Sequence, residues 1–268
     1  MPSFRNTAAA GLGWLGLVWL LAPASPAYAD YPVAPDVVVF CEPTLRHTLI
    51  DVGTLWRSQT GIHVRVFTSP TWALLAQIAH HARDDVLIGE GDANAAAAAK
   101  QQLIKPATMQ QMGRNRLVVA ALGDKADDTN AGSSPAAAAL ASIAGKQPIA
   151  IVDPWAATAG ADTKKVLEAL GVWQKLDGKS VGVIGTADAV YLLTQGHVKL
   201  AIVYATDVAA NPVLTVADRL PASSHPPIVY WVAETAHALS PNTTKFIEFL
   251  HTAGARQQLR ADGLEISP

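Results

Sequence analysis

Cysteine is almost absent: Cys41 is the single thiol in 268 residues. No internal disulfide can brace the fold, and no cysteine-rich zinc site can form. Charge is scarce as well, at 16% of residues with a formal net charge of -2, and no basic patch exists to follow a phosphate backbone, so nucleic acid is excluded as a partner. Half of the residues are hydrophobic, which excludes disorder and leaves a packed core to hold the chain together. Neither a serine in a nucleophile-elbow setting nor a histidine-rich metal motif is found, and Cys41 has no basic neighbour closer in sequence than Arg46 to activate it. These absences argue against an enzyme.

What is present begins with a leader. Arg5 precedes an apolar run from Ala8 to Ala22, and small residues then lead to Ala27-Tyr28-Ala29. This pattern predicts a signal peptide over residues 1–29, cut before Asp30. Its core from Leu12 to Leu21 is shorter than the ~20 residues of a membrane span, and Pro23 and Pro26 close it. Arg5 stands alone, which disfavours a twin-arginine signal. Without a cysteine after the cut to accept a lipid, the expected product is a freely diffusing periplasmic protein.

From Asp36 onward, short Val/Ile-rich runs alternate with segments of helical spacing. The runs are Val37 to Phe40, Val64 to Phe67, Val86 to Ile88, Leu117 to Ala121, Ile149 to Val152, Val181 to Ile184, Ala201 to Tyr204 and Ile228 to Val232. Strands covered on both faces must be nearly continuous in apolar residues, so the alternation predicts an α/β fold with mostly parallel sheets. The first helix should bury Leu45, Leu49, Val52, Leu55 and Trp56, with Thr44 as its N-cap and Gly61 beyond its end. Others are expected after Ser69-Pro70-Thr71, from about Asp162 to Leu170, after Thr186, and as one closing helix from Asn242 to Leu259. Ala95 to Ala99 reads as plain helix. His80-His81 and Arg83-Asp84-Asp85 read as a solvated helix end and turn. The polar stretch from Gly123 to Gly145 reads as a crossing or a surface excursion.

Four predicted helices begin directly after a strand with small or hydroxyl residues: Thr44, Ser69 to Thr71, Ala159-Gly160-Ala161 and Thr186-Ala187. The first turn of a helix has N–H groups without intrahelical partners and a partial positive charge. Converging starts therefore make an anion site without lysine or arginine. Each threonine taken alone is better explained as a local cap worth about 1 kcal/mol.

The segment VVVFCEPTLRHTL at 37–49 resembles the opening strand, loop and helix of the periplasmic molybdate-binding proteins of molybdate ABC transporters. Asp153-Pro154 through Ala159-Gly160, Gly171-Val172-Trp173 and Ala201 through Asp207 are similar to later stretches of that family, in order and near the right spacing. The resemblance spans essentially the whole chain after the leader. It implies a two-lobed type II periplasmic-binding-protein fold with a ligand cleft between lobes. Residues 30–122 with 213–268 would form lobe I and residues 123–212 lobe II. It also implies a monomeric, non-catalytic receptor without a cofactor, carrying molybdate or tungstate to a membrane permease. The implied contacts are Thr44 and a hydroxyl from Ser69 or Thr71 on one side, and the backbone near Ala159 and Thr186 with the Tyr204 hydroxyl on the other. A fully deprotonated tetrahedral oxyanion offers only acceptors, which such donors would satisfy. Without the resemblance, Tyr204 reads rather as a buried core tyrosine with its hydroxyl satisfied.

Cys41-Glu42-Pro43 stands where the family has small residues. Pro43 and Pro70 each remove an N–H from loops that should donate. Glu42 and Glu90 would oppose a dianion unless they point outward, and Trp72 is bulky for a helix start facing ligand. A different anion, an organic acid or a metal species is the alternative cargo. Cys41, Glu42 and His47 could together suggest a soft-metal site, although their spacing fits no standard motif. An enzyme on the same scaffold is a third alternative.

Overall fold

The computed structural model describes residues 36–123, 148–176 and 178–266. The predicted leader over residues 1–29 and residues 124–145 of the predicted crossing lie outside the described residues. Ten strands are found among these residues: β1 (Val37–Cys41), β2 (Val64–Thr68), β3 (Val86–Glu90), β4 (Gln110–Asn115), β5 (Leu117–Leu122), β6 (Ile149–Val152), β7 (Ser180–Val183), β8 (Leu200–Tyr204), β9 (Leu214–Arg219) and β10 (Ile228–Glu234). They form two five-stranded sheets, ordered β2-β1-β3-β10-β4 and β7-β6-β8-β5-β9. In each sheet four strands share one direction, and one runs against them: β10 in the first, β5 in the second. The central strands β1, β3, β6 and β8 are buried at every residue, which is why their sequences are apolar nearly throughout, with Glu90 at the end of β3 as the charged exception. At the edge, β2 alternates half-buried and exposed residues, and its sequence alternates with them.

Helices connect the strands: α1 (Arg46–Thr60), α2 (Thr71–Ala79), α3 (Asp92–Lys100), α4 (Thr158–Ala169), α5 (Thr186–Thr194), α6 (Ala205–Ala209), α7 (Thr243–Leu250) and α8 (Ala253–Ala261). The predicted stripe of α1 is buried at Leu49, Val52 and Trp56. Trp56 packs edge-on against Phe246 and Phe249, with ring centroids 5.6 Å and 5.1 Å away. The helix ends at Gly61, whose φ of 75° is left-handed, a conformation that glycine adopts without a Cβ clash.

Several expectations need correction. Strands β5 and β9 both belong to the second sheet. The chain therefore changes sheet between Asn115 and Leu117 and again after Arg219, not at residues 123 and 213. Apolar runs reveal a strand but not which sheet it joins. The expected closing helix is two helices, with Thr252 between them accepting from the Ala255 amide as an N-cap. Thr44 does not cap α1, because it lies inside a short 3-10 turn, Pro43–Leu45, that precedes the helix. Asp84 and Asp85 are buried rather than solvated. Asp85 accepts the amides of Val38, Leu239 and Ser240, each at 2.8 Å, so its carboxylate replaces backbone partners that loops there lack.

Candidate functional site

The parallel strands of both sheets end at one place. Glu42 to Thr44 follow β1, Pro70 to Trp72 follow β2, and Glu90 ends β3. From the second sheet, Pro154 to Ala159 follow β6, Ile184 to Ala187 follow β7, and Tyr204 ends β8. Together they enclose a cavity of about 520 Å³, at the carboxyl ends of strands where open α/β sheets hold ligands.

Of the residues singled out from sequence, Thr44, Thr71, Ala159, Thr186 and Tyr204 line this cavity, and Ser69 does not. The Ser69 amide instead donates to the Cys41 carbonyl at 3.2 Å. Thr44 Oγ1 lies 3.0 Å from the Tyr230 hydroxyl, itself 3.3 Å from Asn115 Nδ2, so Thr44 is positioned from beneath by two buried side chains.

The first sheet's contribution is already engaged. The Thr71 amide donates to the Glu42 carboxylate at 2.5 Å, and the Thr71 hydroxyl donates to the same oxygen. That hydroxyl also accepts from the Glu90 amide at 3.1 Å. Glu42 therefore occupies the start of α2, where an anionic ligand would otherwise find a donor. Burial pushes its carboxyl above the ordinary 4.5, against the pull of the two Thr71 bonds. Glu90 is raised further, to about 8, by burial first and then by the negative fields of Glu42 and Asp162.

The second sheet presents its helix starts openly. Residues Ala157 and Gly185, which precede α4 and α5, are extended, and their carbonyls accept from Ala161 and Ala189, so each helix is closed from its first turn. The earliest amides of both helices thus have no intrahelical partner available, and Thr158, Ala159, Thr186 and Ala187 line the cavity. The close seating of α4 depends on Gly160, where a Cβ would come within 2.2 Å of the Asp153 carbonyl oxygen. Tyr204 is 2% exposed, and the one group its hydroxyl engages is the Glu90 carboxyl, which it pulls down against burial. Its amide donates to Asp207 Oδ2 at 2.9 Å. Burial lifts Asp207 to about 7, with the Tyr204 amide and Thr186 hydroxyl opposing the shift.

Sequence reasoning missed Asn94, Trp155, Asp162, Lys165 and Ile184, which also line the cavity. Asp162 and Lys165 pair with each other at 3.0 Å on one face of α4. Their i,i+3 spacing after the Ala159-Gly160 turn was the available signal. Trp72, Trp155 and Ile184 stand on the rim, 70%, 94% and 77% exposed. The soft-metal suggestion is not supported. Cys41 is fully buried, with its thiol pushed far up by burial and by Glu42, and Glu42 is bound to Thr71. His47 pairs on the surface with Asp51 at 3.3 Å. Among the described residues, no group of three or more His, Cys, Asp or Glu side chains is placed to hold a metal ion.

Known proteins share this architecture. The periplasmic molybdate-binding protein of Azotobacter vinelandii superposes with a TM-score of 0.71 at 20% identity, over 87% of this chain and 100% of its own. The substrate-binding domain of a putative molybdenum ABC transporter from Clostridium difficile gives 0.70 at 20% identity, over 87% and 99%. These likenesses show the two-lobed type II periplasmic-binding-protein fold. In sequence, the chain is 26% identical over 255 residues to the molybdate-binding protein ModA of Escherichia coli (strain K12), covering 94% of this chain and 98% of that protein. Residues 37–265 match the family described as bacterial extracellular solute-binding protein. A cleft at strand ends, open helix starts and this match agree: the chain belongs to the bacterial extracellular solute-binding proteins and is a binding component rather than an enzyme.

Proposed function

We propose that this protein captures a tetrahedral oxyanion, molybdate or tungstate, outside the cytoplasm and delivers it to the membrane permease of an ABC transporter. Residues 1–29 would direct its export, and it would act as a monomer with its two lobes meeting across the cleft. The observation that carries the reading is the convergence of the α4 and α5 starts and the buried Tyr204 hydroxyl on one cavity. Such donors satisfy an ion that has only acceptors, with no cationic side chain required. The whole-length similarity to a molybdate-binding protein supports the same cargo. Calorimetric titration of the exported protein with molybdate, tungstate, sulfate and phosphate tests it. Binding of molybdate or tungstate well above sulfate is expected, and absence of heat with every oxyanion would overturn it.

A second reading is favoured by the carboxyls of Glu42, Glu90 and Asp162 and by the exposed Trp72 and Trp155 around the same cavity. They suit a cargo that carries its own hydrogen-bond donors and an apolar part, such as an organic acid. Thermal-shift screening of organic acids beside the oxyanions separates the two.

A further inference from the structure

We propose that the anion is held in this cleft together with one proton carried by Glu90, so that capture is linked to protonation of that side chain. This rests on the oxyanion reading above and specifies how the site tolerates its own acidity.

The carboxyls around the cavity are Glu42, Glu90, Asp162 and Asp207, and Lys165 is the one cationic side chain among the lining residues. With every group ionised, a dianion would enter a field of net negative charge. Three of the four carboxyls have donors of their own. Glu42 takes the amide and hydroxyl of Thr71, Asp162 takes Lys165 at 3.0 Å, and Asp207 takes the Tyr204 amide at 2.9 Å. Glu90 has only the neutral Tyr204 hydroxyl, which opposes its rise without cancelling it. It is 6% exposed and faces Glu42 from the β1 turn, Asp162 from α4, Tyr204 from the end of β8 and Tyr230 from β10. None of these is cationic, and the two tyrosine hydroxyls are themselves buried. A proton is therefore held most firmly on Glu90, consistent with its rise to about 8.

A neutral carboxylic acid is a hydrogen-bond donor, whereas its carboxylate only accepts. Once protonated, Glu90 stops repelling the ligand and adds an O–H to the donor set. A second observation points the same way: Tyr204, buried in the same cavity, has Glu90 as the one group its hydroxyl engages, so no other acceptor competes for it. Glu90 and Tyr204 would then offer two O–H groups from opposite sheets to one oxyanion. The balance is simple. Where Glu90 is already neutral, the anion binds alone. Where it is ionised, each anion bound brings one proton from solvent onto a Glu90 oxygen.

The test is calorimetry of the exported protein with sodium molybdate from about pH 6 to about pH 9.5, in buffers of different ionisation enthalpy. The expected Kd is flat at the acidic end and rises about tenfold per pH unit above about pH 8, with close to one proton taken up at the alkaline end. Glu90→Gln, neutral at every pH, should flatten the profile. Molybdate binding with no proton uptake at any pH overturns the inference while sustaining the oxyanion reading. A pH profile that persists in Glu90→Gln overturns the assignment to this residue. If molybdate does not bind at any pH, both readings fall. The proton count on the unaltered protein decides the matter even if the variant does not fold.

Discussion

The two sides of the cleft are built from the same topological parts and have opposite chemistry. On the first sheet's side, prolines replace two potential amides, and the Thr71 amide and hydroxyl are occupied by Glu42. On the second sheet's side, the helix starts are seated without prolines in their first turn, and among the described residues Asp207 engages the Thr186 hydroxyl but no carboxylate bond is found on the first amides. A helix start is thus a latent anion site only. Whether it serves a ligand depends on whether the chain has already supplied the anion. Binding should therefore draw most of its strength from the second side.

Disturbing that side should have the largest effect. Gly160→Ala places a methyl 2.2 Å from the Asp153 carbonyl, which must push the start of α4 away. The expected cost is about 1–3 kcal/mol of stability, seen as a drop of about 3–10 °C in Tm, with oxyanion affinity lost in parallel. Tyr204→Phe removes one cavity donor and should weaken binding about tenfold or more, given the worth of a hydrogen bond to a charged group, while Tm changes little. On the first side the sign reverses. Glu42→Gln keeps an acceptor for Thr71 but removes a charge, so calorimetry should show oxyanion binding tightened by roughly threefold to tenfold. Equal losses from Tyr204→Phe and Glu42→Gln would break the asymmetry.

The smallest effect is a control away from the cleft. Asp84 is buried, and Thr235, the one hydroxyl that opposes its carboxyl's rise, also donates to its backbone carbonyl at 3.0 Å. Burial raises it from 3.8 to about 7. A carboxyl that holds its proton more tightly when folded contributes stability at low pH, and this is lost as pH rises from its ordinary range to about 7. Asp84→Asn should raise Tm measured near pH 8 and leave the pH dependence of ligand affinity untouched. A change in the latter would mean that the two regions are coupled.

Much of the scaffold is legible in the sequence because its central strands are buried on both faces, which leaves a continuous apolar trace. Strand β4 has none. Its sequence is QQMGRN, and only Met112, Gly113 and Asn115 are buried at this sheet edge. The site is legible as far as local chemistry reaches. Glu42 and Glu90 can be flagged as charges out of place. That Glu42 caps α2 cannot be read, since 29 residues separate it from Thr71. Asp84 and Asp85 look solvated because charge next to charge usually is, yet Asp85 is buried by three amides, two of them more than 150 residues away.

The exchanged strand in each sheet has a consequence for how the chain must assemble. β10, supplied from near the C-terminus, is the sole link between β3 and β4, and β5, supplied ahead of its own sheet, is the sole link between β8 and β9. Ribosomal synthesis therefore releases β4 long before the strand that shelters it exists. Neither half of the polypeptide can be an autonomous fragment, and completion of both sheets waits on contacts distant in sequence, which slows folding. For a member of an extracytoplasmic family, that delay keeps the chain open for longer before the fold closes.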